Sequence, residues 1–193
     1  MADIICLGLG KISSCRTAQY QLALLLAFTD KIQCTAEAYD PIFSKGERDL
    51  LIQLGIKISK ANLEGNLVNS LKPTLYFLPH CPRELTNNLL YSNWSVLQLS
   101  QCFIIANSFE KIILNTPHRL LSSYHYLLQI SSTVQELPIE NCFHLADIFN
   151  DLSLHIFPKE TLTSLEPSFW AAPKPVYSQE SCEFIPTQWA PVL

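Results

Sequence analysis

One tripeptide of the sequence, His80-Cys81-Pro82, combines residue types that could do chemistry. Pro82 suits the first position of a helix, which would make Cys81 the N-cap residue of that helix. The positive end of a helix favours a thiolate, and a thiolate is a good ligand for haem iron. A Cys-Pro pair is also the short signature of haem-responsive regulatory proteins. The tripeptide therefore suggests a haem contact at Cys81, and the alternative is a turn that needs Pro82 for its geometry alone. His80 would be a second haem ligand in the first case, or a turn residue hydrogen-bonded to backbone in the second.

Neither a catalytic residue nor a metal site is predicted. His80 and Cys81 could act as base and nucleophile with Asp40 or Asp151 as the orienting carboxylate, but neighbouring residues on a turn usually point apart. The seven cysteines have irregular spacings and no C-x-x-C pair, which is a poor basis for a zinc site.

A second chemically suggestive stretch is the turn from Gly8 to Ser13, which reads G-x-G-x-x-S after a short apolar strand. In the dinucleotide-binding fingerprint, backbone N–H groups of such a turn cradle a phosphate, and an acidic residue after the second strand binds the ribose. The residues of this predicted nucleotide site are Gly8, Gly10, Lys11, Ser13 and Asp40. The alternative is that the glycines only provide a tight turn or close approach of another group, and that Asp40 is a turn residue before Pro41.

Hydrophobic patterning predicts how these residues are positioned. Short apolar strands, expected at 4–7, 34–39, 56–58, 74–78, 102–106 and 134–137, are separated by helices that begin near Cys15, Ser44, Pro82 and Pro117. Ser44 and Glu47 form a capping box at the start of the second helix, and the pattern over residues 62–69 fits either a short helix or a loop. This alternation predicts an α/β fold, a Rossmann-like doubly wound and mostly parallel sheet in a three-layer sandwich. Such sheets bind ligands at the carboxyl ends of their strands, where the Gly8 turn, Asp40, His80-Cys81 and Asn107-Ser108 are all expected.

The last strand and the tail have a different pattern. Residues 152–156 alternate apolar and polar side chains, which predicts a half-exposed antiparallel edge strand with His155 facing solvent. From Pro158 onward prolines are frequent and aromatic residues are interspersed. We expect one α/β domain over residues 1–157 and an extended proline-rich tail over 158–193 that wraps the domain through Trp170 and Trp189.

Composition limits the function classes. The 193 residues carry a net charge of −4, and 48% are hydrophobic against 16% charged. The acidic balance argues against direct nucleic-acid binding, and no apolar run approaches the ~20 residues that cross a bilayer. No basic signal precedes the first strand, and odd, irregular cysteines fit a reducing compartment. We therefore expect a protein of the cytoplasm or nucleus that binds no membrane.

Several stretches of the sequence resemble the "sensitivity to red light reduced" family of plants, fungi and animals. They cover most of residues 3–157 in the family's order. The matching stretches are Ile5–Ile12 with Ser14-Cys15, Tyr39–Phe43, Phe77–Pro82, Asn87–Leu90 with Asn93-Trp94, Asn107–Phe109, and Phe149–Asp151 with Ser153 and His155.

The resemblance implies a regulatory function. Family members look like soluble cytoplasmic and nuclear proteins linked to circadian clock output and light signalling, and in animals to control of haem biosynthesis. No catalytic reaction is established for the family, so the resemblance favours a non-enzymatic regulator that acts through protein partners. The alternative is a Rossmann-type enzyme, such as an S-adenosylmethionine-dependent methyltransferase, in which Gly8 and Gly10 line the cofactor and Asp40 holds its ribose.

Overall fold

A single seven-stranded sheet forms the centre of the protein. The computed structural model describes residues 3–142, 144–145, 147–171 and 173–177. The strand order is β3-β2-β1-β4-β5-β7-β6. The strands are β1 Asp3–Leu7, β2 Ala36–Tyr39, β3 Lys57–Ile58, β4 Thr74–Leu78, β5 Cys102–Asn107, β6 Gln135–Pro138 and β7 Leu152–Ile156.

Strands β1 to β5 run parallel to one another, whereas β7 runs antiparallel to both β5 and β6. The predicted α/β fold with a mostly parallel sheet is therefore confirmed, and so is the antiparallel direction of the last strand. Its predicted place at the edge is wrong, because β6 pairs with the outer side of β7 and forms the edge itself.

Helices cover both faces of the sheet. They are α1 Arg16–Ile32, α2 Lys45–Gln53, α3 Arg83–Ser92, α4 Val96–Leu99, α5 Phe109–Asn115, α6 His118–Leu121, α7 His125–Ile130 and α8 Lys159–Thr163. On one face, α1 and α2 bury Leu25 and Leu51 in a core with Phe77. On the other face, α3 and α7 pack Leu89 and Leu127 in a second core. The sheet between two helical layers is the predicted three-layer arrangement.

Local sequence signals explain where several helices begin. Ser44 and Glu47 form the predicted capping box at the start of α2, with Ser44 Oγ accepting a hydrogen bond from the Glu47 backbone N–H. Helix α3 begins at Arg83 with Pro82 in the N-cap position. The prediction that Cys81 is the N-cap is therefore wrong, because Cys81 lies one residue further out and its side chain turns into the core.

The connection between β3 and β4, residues 59–73, is a loop that carries no helix. The sequence pattern over residues 62–69 left helix and loop open. The loop is instead held against α3 by asparagine side chains, since Asn88 Nδ2 donates to the Glu64 carbonyl and Asn93 Nδ2 donates to the Leu67 carbonyl. Hydrogen bonds from α3 and its C-cap residue thus hold a connection that has no helix of its own.

The burial of β7 differs from the alternation predicted. Ser153 and His155 are buried, whereas Leu154 and Ile156 are partly exposed. His155 stacks on the Phe109 ring of α5 with 3.6 Å between the ring centroids. The prediction that His155 faces solvent is wrong, because α5 covers the side of β7 that carries the polar residues.

The described part of the tail lies against the domain. The side chain of Leu162 in α8 is fully buried, and the Trp94 ring stacks on Phe169 at 5.1 Å and contacts Trp170. The Trp94 Nε1–H also donates to the Phe169 carbonyl. Trp170 therefore packs on the domain as predicted, and Trp189 lies outside the described residues. The predicted extended course of the tail is wrong over Lys159–Thr163 and Pro167–Trp170, which are helical.

Candidate functional site

The Gly8 turn at the end of β1 has the backbone that its glycines predict. Both Gly8 and Gly10 have positive φ, of 66° and 82°. A Cβ atom on Gly8 would lie 2.4 Å from Sγ of Cys81. The close approach that the glycine allows is therefore made by a side chain of this chain, and Cys81 fills the space directly over Gly8.

Asp40 braces this turn. Its Oδ2 accepts a hydrogen bond from the Gly10 N–H at 2.7 Å, and its Oδ1 accepts one from the Ile42 N–H at 3.0 Å. Both carboxylate oxygens thus serve the backbone of two adjoining loops. In this structure Asp40 joins the ends of β1 and β2, and neither oxygen is directed at a ribose.

A second carboxylate, Glu47 of α2, closes the other end of the turn. Its Oε1 accepts from both the N–H and the hydroxyl of Ser13 at 2.9 Å, and its Oε2 accepts from the Ser44 N–H at 2.8 Å. The backbone hydrogen bonds from Ser13 and Ser44 lower the pKa of Glu47 to about 2. The sequence indicated only the local capping box, because the contact with Ser13 spans 34 residues.

These contacts decide what the glycine turn can bind in this conformation. The N–H groups of Gly10 and Ser13, which a phosphate would use, already donate to Asp40 and Glu47. Lys11 is exposed beside them. The chain's own carboxylates therefore occupy the anion-binding positions that the G-x-G-x-x-S pattern predicts.

Cys81 does not fit the predicted haem contact. Its side chain is 5% exposed, and its Sγ–H donates to the Leu7 carbonyl at 3.1 Å. Burial, with a smaller effect of the Asp40 charge, raises the pKa of Cys81 far above its ordinary value, so the sulfur is a neutral thiol. A haem could reach this sulfur only after the turn had opened.

His80 is placed differently from its neighbour. Its ring is exposed, its φ is 54°, and its Nε2 lies 3.1 Å from the Ile148 carbonyl oxygen. Because a carbonyl can only accept, Nε2 carries the proton and donates. The His80 ring therefore points away from the Cys81 thiol, which is the arrangement expected for neighbours on a turn.

A polar cleft of about 280 Å³ lies at the carboxyl ends of β4 and β5. His80, Asn107, Lys111 and Asp151 line it, and three of the stretches quoted for the family resemblance meet there. Lys111 and Asp151 form an ion pair across the cleft, and Asn107 Nδ2 donates to the Cys81 carbonyl. Asp151, like His80, has left-handed backbone, with φ 59°. Strain of this kind concentrates at functional sites, which makes the cleft a candidate.

A buried polar cluster lies behind this cleft. His155 Nδ1 donates to the Ile104 carbonyl at 3.0 Å, and its Nε2 lies 3.5 Å from Oε2 of Glu136. Burial raises the pKa of Glu136, but its interactions with His155, Ser108 and Ser153 outweigh that effect and lower the pKa to about 2. Sequence reasoning missed Glu136, since nothing in the pattern of β6 indicates that it faces His155.

A further recess is an apolar cleft of about 670 Å³ between strands β1 and β2 and the loop 59–73. Its walls include Ile5, Leu7, Tyr39, Leu63 and Leu67. Gly8 lines one end, so this cleft opens beside the closed glycine turn. No sequence pattern indicates this cleft, because it exists only where the connecting loop stands away from the sheet.

No cluster of three or more His, Cys, Asp or Glu side chains that could hold a metal ion occurs among the residues with described positions. Of the described helices, none combines the length and the apolar composition that crossing a bilayer requires.

Comparison with known proteins gives a consistent family. A mouse "SRR1-like protein" is 40% identical over 134 residues, which are 67% of this chain and 54% of that protein. A Drosophila melanogaster "SRR1-like protein" is 35% identical over 92% of this chain and 63% of its own length. The Arabidopsis thaliana "Protein SENSITIVITY TO RED LIGHT REDUCED 1" is 33% identical over 56% of this chain and 40% of its own.

The chain spans from two fifths to under two thirds of the length of these relatives. No solved structure matches it. The family model described as the SRR1 domain matches residues 1–156, which includes the glycine turn, the polar cleft and all seven strands. The chain belongs to the SRR1 domain family.

Proposed function

We propose that this chain is a non-enzymatic regulatory protein that acts in circadian clock regulation, light responses and control of haem biosynthesis. It would act in the cytoplasm and nucleus through protein partners. Family membership supports this proposal, and one relative is named for sensitivity to red light. Membership of the SRR1 domain family does not depend on this proposal.

The observation that carries the non-enzymatic part is the closed glycine turn. An enzyme of the Rossmann type needs the N–H groups of this turn for its cofactor and an acidic side chain for the ribose. Here Gly10 and Ser13 donate to Asp40 and Glu47, and Cys81 lies over Gly8. A turn satisfied by its own chain has a structural role.

A resident haem at Cys81 is not part of the proposal, since the thiol is buried and neutral. Control of haem biosynthesis would then be exerted through a partner protein. Haem added to the reduced protein should give the same Soret band with wild type, Cys81→Ala and His80→Ala. A saturable shift of the band that is lost in Cys81→Ala would reinstate Cys81 as a ligand.

The regulatory function is tested by complementation. In flies whose SRR1-like protein has been deleted, we expect an altered period of locomotor rhythm that this chain restores. Cys81→Ala should restore the period equally well if the protein reaches the same level. An unaltered period in the deletion line, or failure of the wild-type chain at normal abundance, would contradict the proposal.

A second candidate function is a methyltransferase that uses S-adenosylmethionine. One supporting observation is the strand order 3-2-1-4-5-7-6 with an antiparallel β7, which many such enzymes share. The other is the apolar cleft, whose lining includes Gly8. This is an analogy of fold, and function is decided by the site. Calorimetry with S-adenosylmethionine tests it: saturable binding weakened by Asp40→Asn would favour the enzyme, and no heat of binding is expected for the regulator.

A further inference from the structure

We propose that the apolar cleft beside β1 and β2 binds a small amphipathic organic cation, a molecule with an apolar body and one protonated amine or quaternary ammonium group. The inference does not depend on the regulatory function. The cleft has a volume of about 670 Å³, which lies within the ~300–1,000 Å³ of small-molecule sites. It also lies near the carboxyl ends of the strands, where α/β sheets bind ligands.

Hydrogen bonds within the chain hold the outer wall of the cleft in place without a ligand. Asn88 Nδ2 and Asn93 Nδ2 donate to the carbonyls of Glu64 and Leu67, each at 2.7 Å. Asn93 Oδ1 accepts from the Asn69 N–H at 2.6 Å. Asn88 in α3 and Asn93, the C-cap residue of α3, are both buried, so these bonds hold the loop in one position. A ligand would meet a cleft that is already formed, which reduces the ordering that binding requires.

Gly65 fixes how closely the loop meets α3. A Cβ atom there would lie 2.3 Å from the Leu85 carbonyl oxygen, and its φ of 80° is left-handed. Backbone thus packs directly on backbone at this point. The loop is pulled towards α3 and away from β2, and the space left between them is the cleft.

The charge of the cleft selects the ligand class. The two charged residues in its lining are Glu37 and Glu64, and both are acidic. The side chain of Glu37 makes no hydrogen bond or ion pair with any residue whose position is described. Lys57 is the register partner of Glu37 on β3, but it is absent from the lining. The carboxylate of Glu37 is therefore available to a cation.

An apolar wall and a carboxylate favour a cation over an anion of the same shape. The aliphatic side chains remove the ligand's apolar body from water, and a charge pair at the rim of such a surface is less screened than in solvent. Tyr39 adds an aromatic ring, and ring faces attract ammonium groups. An anionic ligand would meet Glu37 with the wrong sign and would be excluded.

The experiment uses two probes with the same apolar body, 4-phenylbutylamine and 4-phenylbutyrate. Each is titrated into isotope-labelled protein while backbone amide shifts are followed. We expect the amine to shift resonances around β2 and the loop 59–73 saturably, and the carboxylate to shift none of them. Glu37→Gln should lower the affinity for the amine about tenfold, as expected for a lost charge-assisted contact.

Three variants complete the design. Ala61→Trp fills the cleft from an exposed loop position and should abolish the shifts, whereas Lys57→Gln removes a nearby positive charge and should tighten the amine. Glu160→Gln changes an equally exposed carboxylate on α8, far along the chain, and should leave the affinity unchanged. The proposal is overturned if both probes bind equally, if Glu37→Gln leaves the affinity of the amine unchanged, or if the shifts survive Ala61→Trp.

Discussion

The carboxyl end of β1 is closed by side chains of the chain itself, whereas the carboxyl ends of β4 and β5 form an open cleft. At the end of β1, the Gly8 turn is closed by Cys81, Asp40 and Glu47, and its polar groups are satisfied inside the chain. At the ends of β4 and β5, a polar cleft is lined by exposed His80 and the paired Lys111 and Asp151.

The glycine motif and the open cleft lie at different strand ends. Both places lie where doubly wound sheets bind ligands, and the G-x-G-x-x-S pattern falls at the closed one. Backbone N–H groups must be satisfied whether or not a ligand is present. In this chain internal carboxylates satisfy those of Gly10 and Ser13, so the glycine pattern reflects a backbone requirement that the chain itself meets.

The largest effect is expected at the closed end. Gly8→Ala places a Cβ atom 2.4 Å from Cys81 Sγ and also forces alanine into φ 66°. Overpacking and left-handed strain together should lower the free energy of unfolding by about 4 kcal/mol. Urea unfolding of the purified variant measures it.

Two controls separate the clash from the strain. Gly55→Ala has φ 81° with nothing within 4 Å of the new Cβ, so it should lose only about 1 kcal/mol. The double variant Gly8→Ala/Cys81→Ala lacks the sulfur that the new Cβ meets. Its loss in the free energy of unfolding should therefore be about 2 kcal/mol smaller than the sum of the two single losses. Additive effects of the two substitutions would mean that Cys81 does not close the turn.

The next effect concerns Glu47. Glu47→Gln removes the charged acceptor of the Ser13 and Ser44 N–H groups and should lower the free energy of unfolding by about 2 kcal/mol at pH 7. The folded-state pKa of about 2 lies below the ordinary value of 4.5, so the stabilisation is complete above pH 4.5 and is lost as pH falls towards 2.

Unfolding by urea at pH 7 and pH 3 measures this dependence. The difference in free energy between wild type and Glu47→Gln should shrink at the lower pH. Glu160→Gln, on the exposed face of α8, should match wild type at pH 7. A difference between wild type and Glu47→Gln that is equal at both pH values would show that the carboxylate charge does not hold the turn.

The sequence predicts the fold better than it predicts the site. Apolar runs such as Thr74–Leu78 and the Ser44–Glu47 capping box are local signals, and both occur where predicted. The position of β7 inside the sheet depends on its pairing with β6, which no local pattern records. Burial of His155 follows from that pairing and from the covering Phe109 ring.

Side-chain partners at the strand ends are equally non-local. Asp40 and Gly10 are 30 residues apart, and Glu47 is 34 residues from Ser13. The sequence placed Gly8, Asp40 and Cys81 near one another through the shared carboxyl edge of the sheet. It could not tell that Cys81 would point inward and fill the turn, because its contacts with Leu7 and Gly8 join residues more than 70 positions apart.

The smallest effects are expected at the open cleft. Lys111 and Asp151 form an ion pair with side chains about half exposed, and such pairs contribute ~0.5 kcal/mol or less. Asp151→Asn should therefore change the free energy of unfolding little, since asparagine also tolerates the left-handed backbone at φ 59°. Alanine does not tolerate the left-handed backbone, so Asp151→Ala should lower the free energy of unfolding by about 1 kcal/mol. If Asp151→Asn proved as destabilising in urea as Glu47→Gln, the cleft would be a structural joint like the glycine turn, and the contrast between the two strand ends would fail.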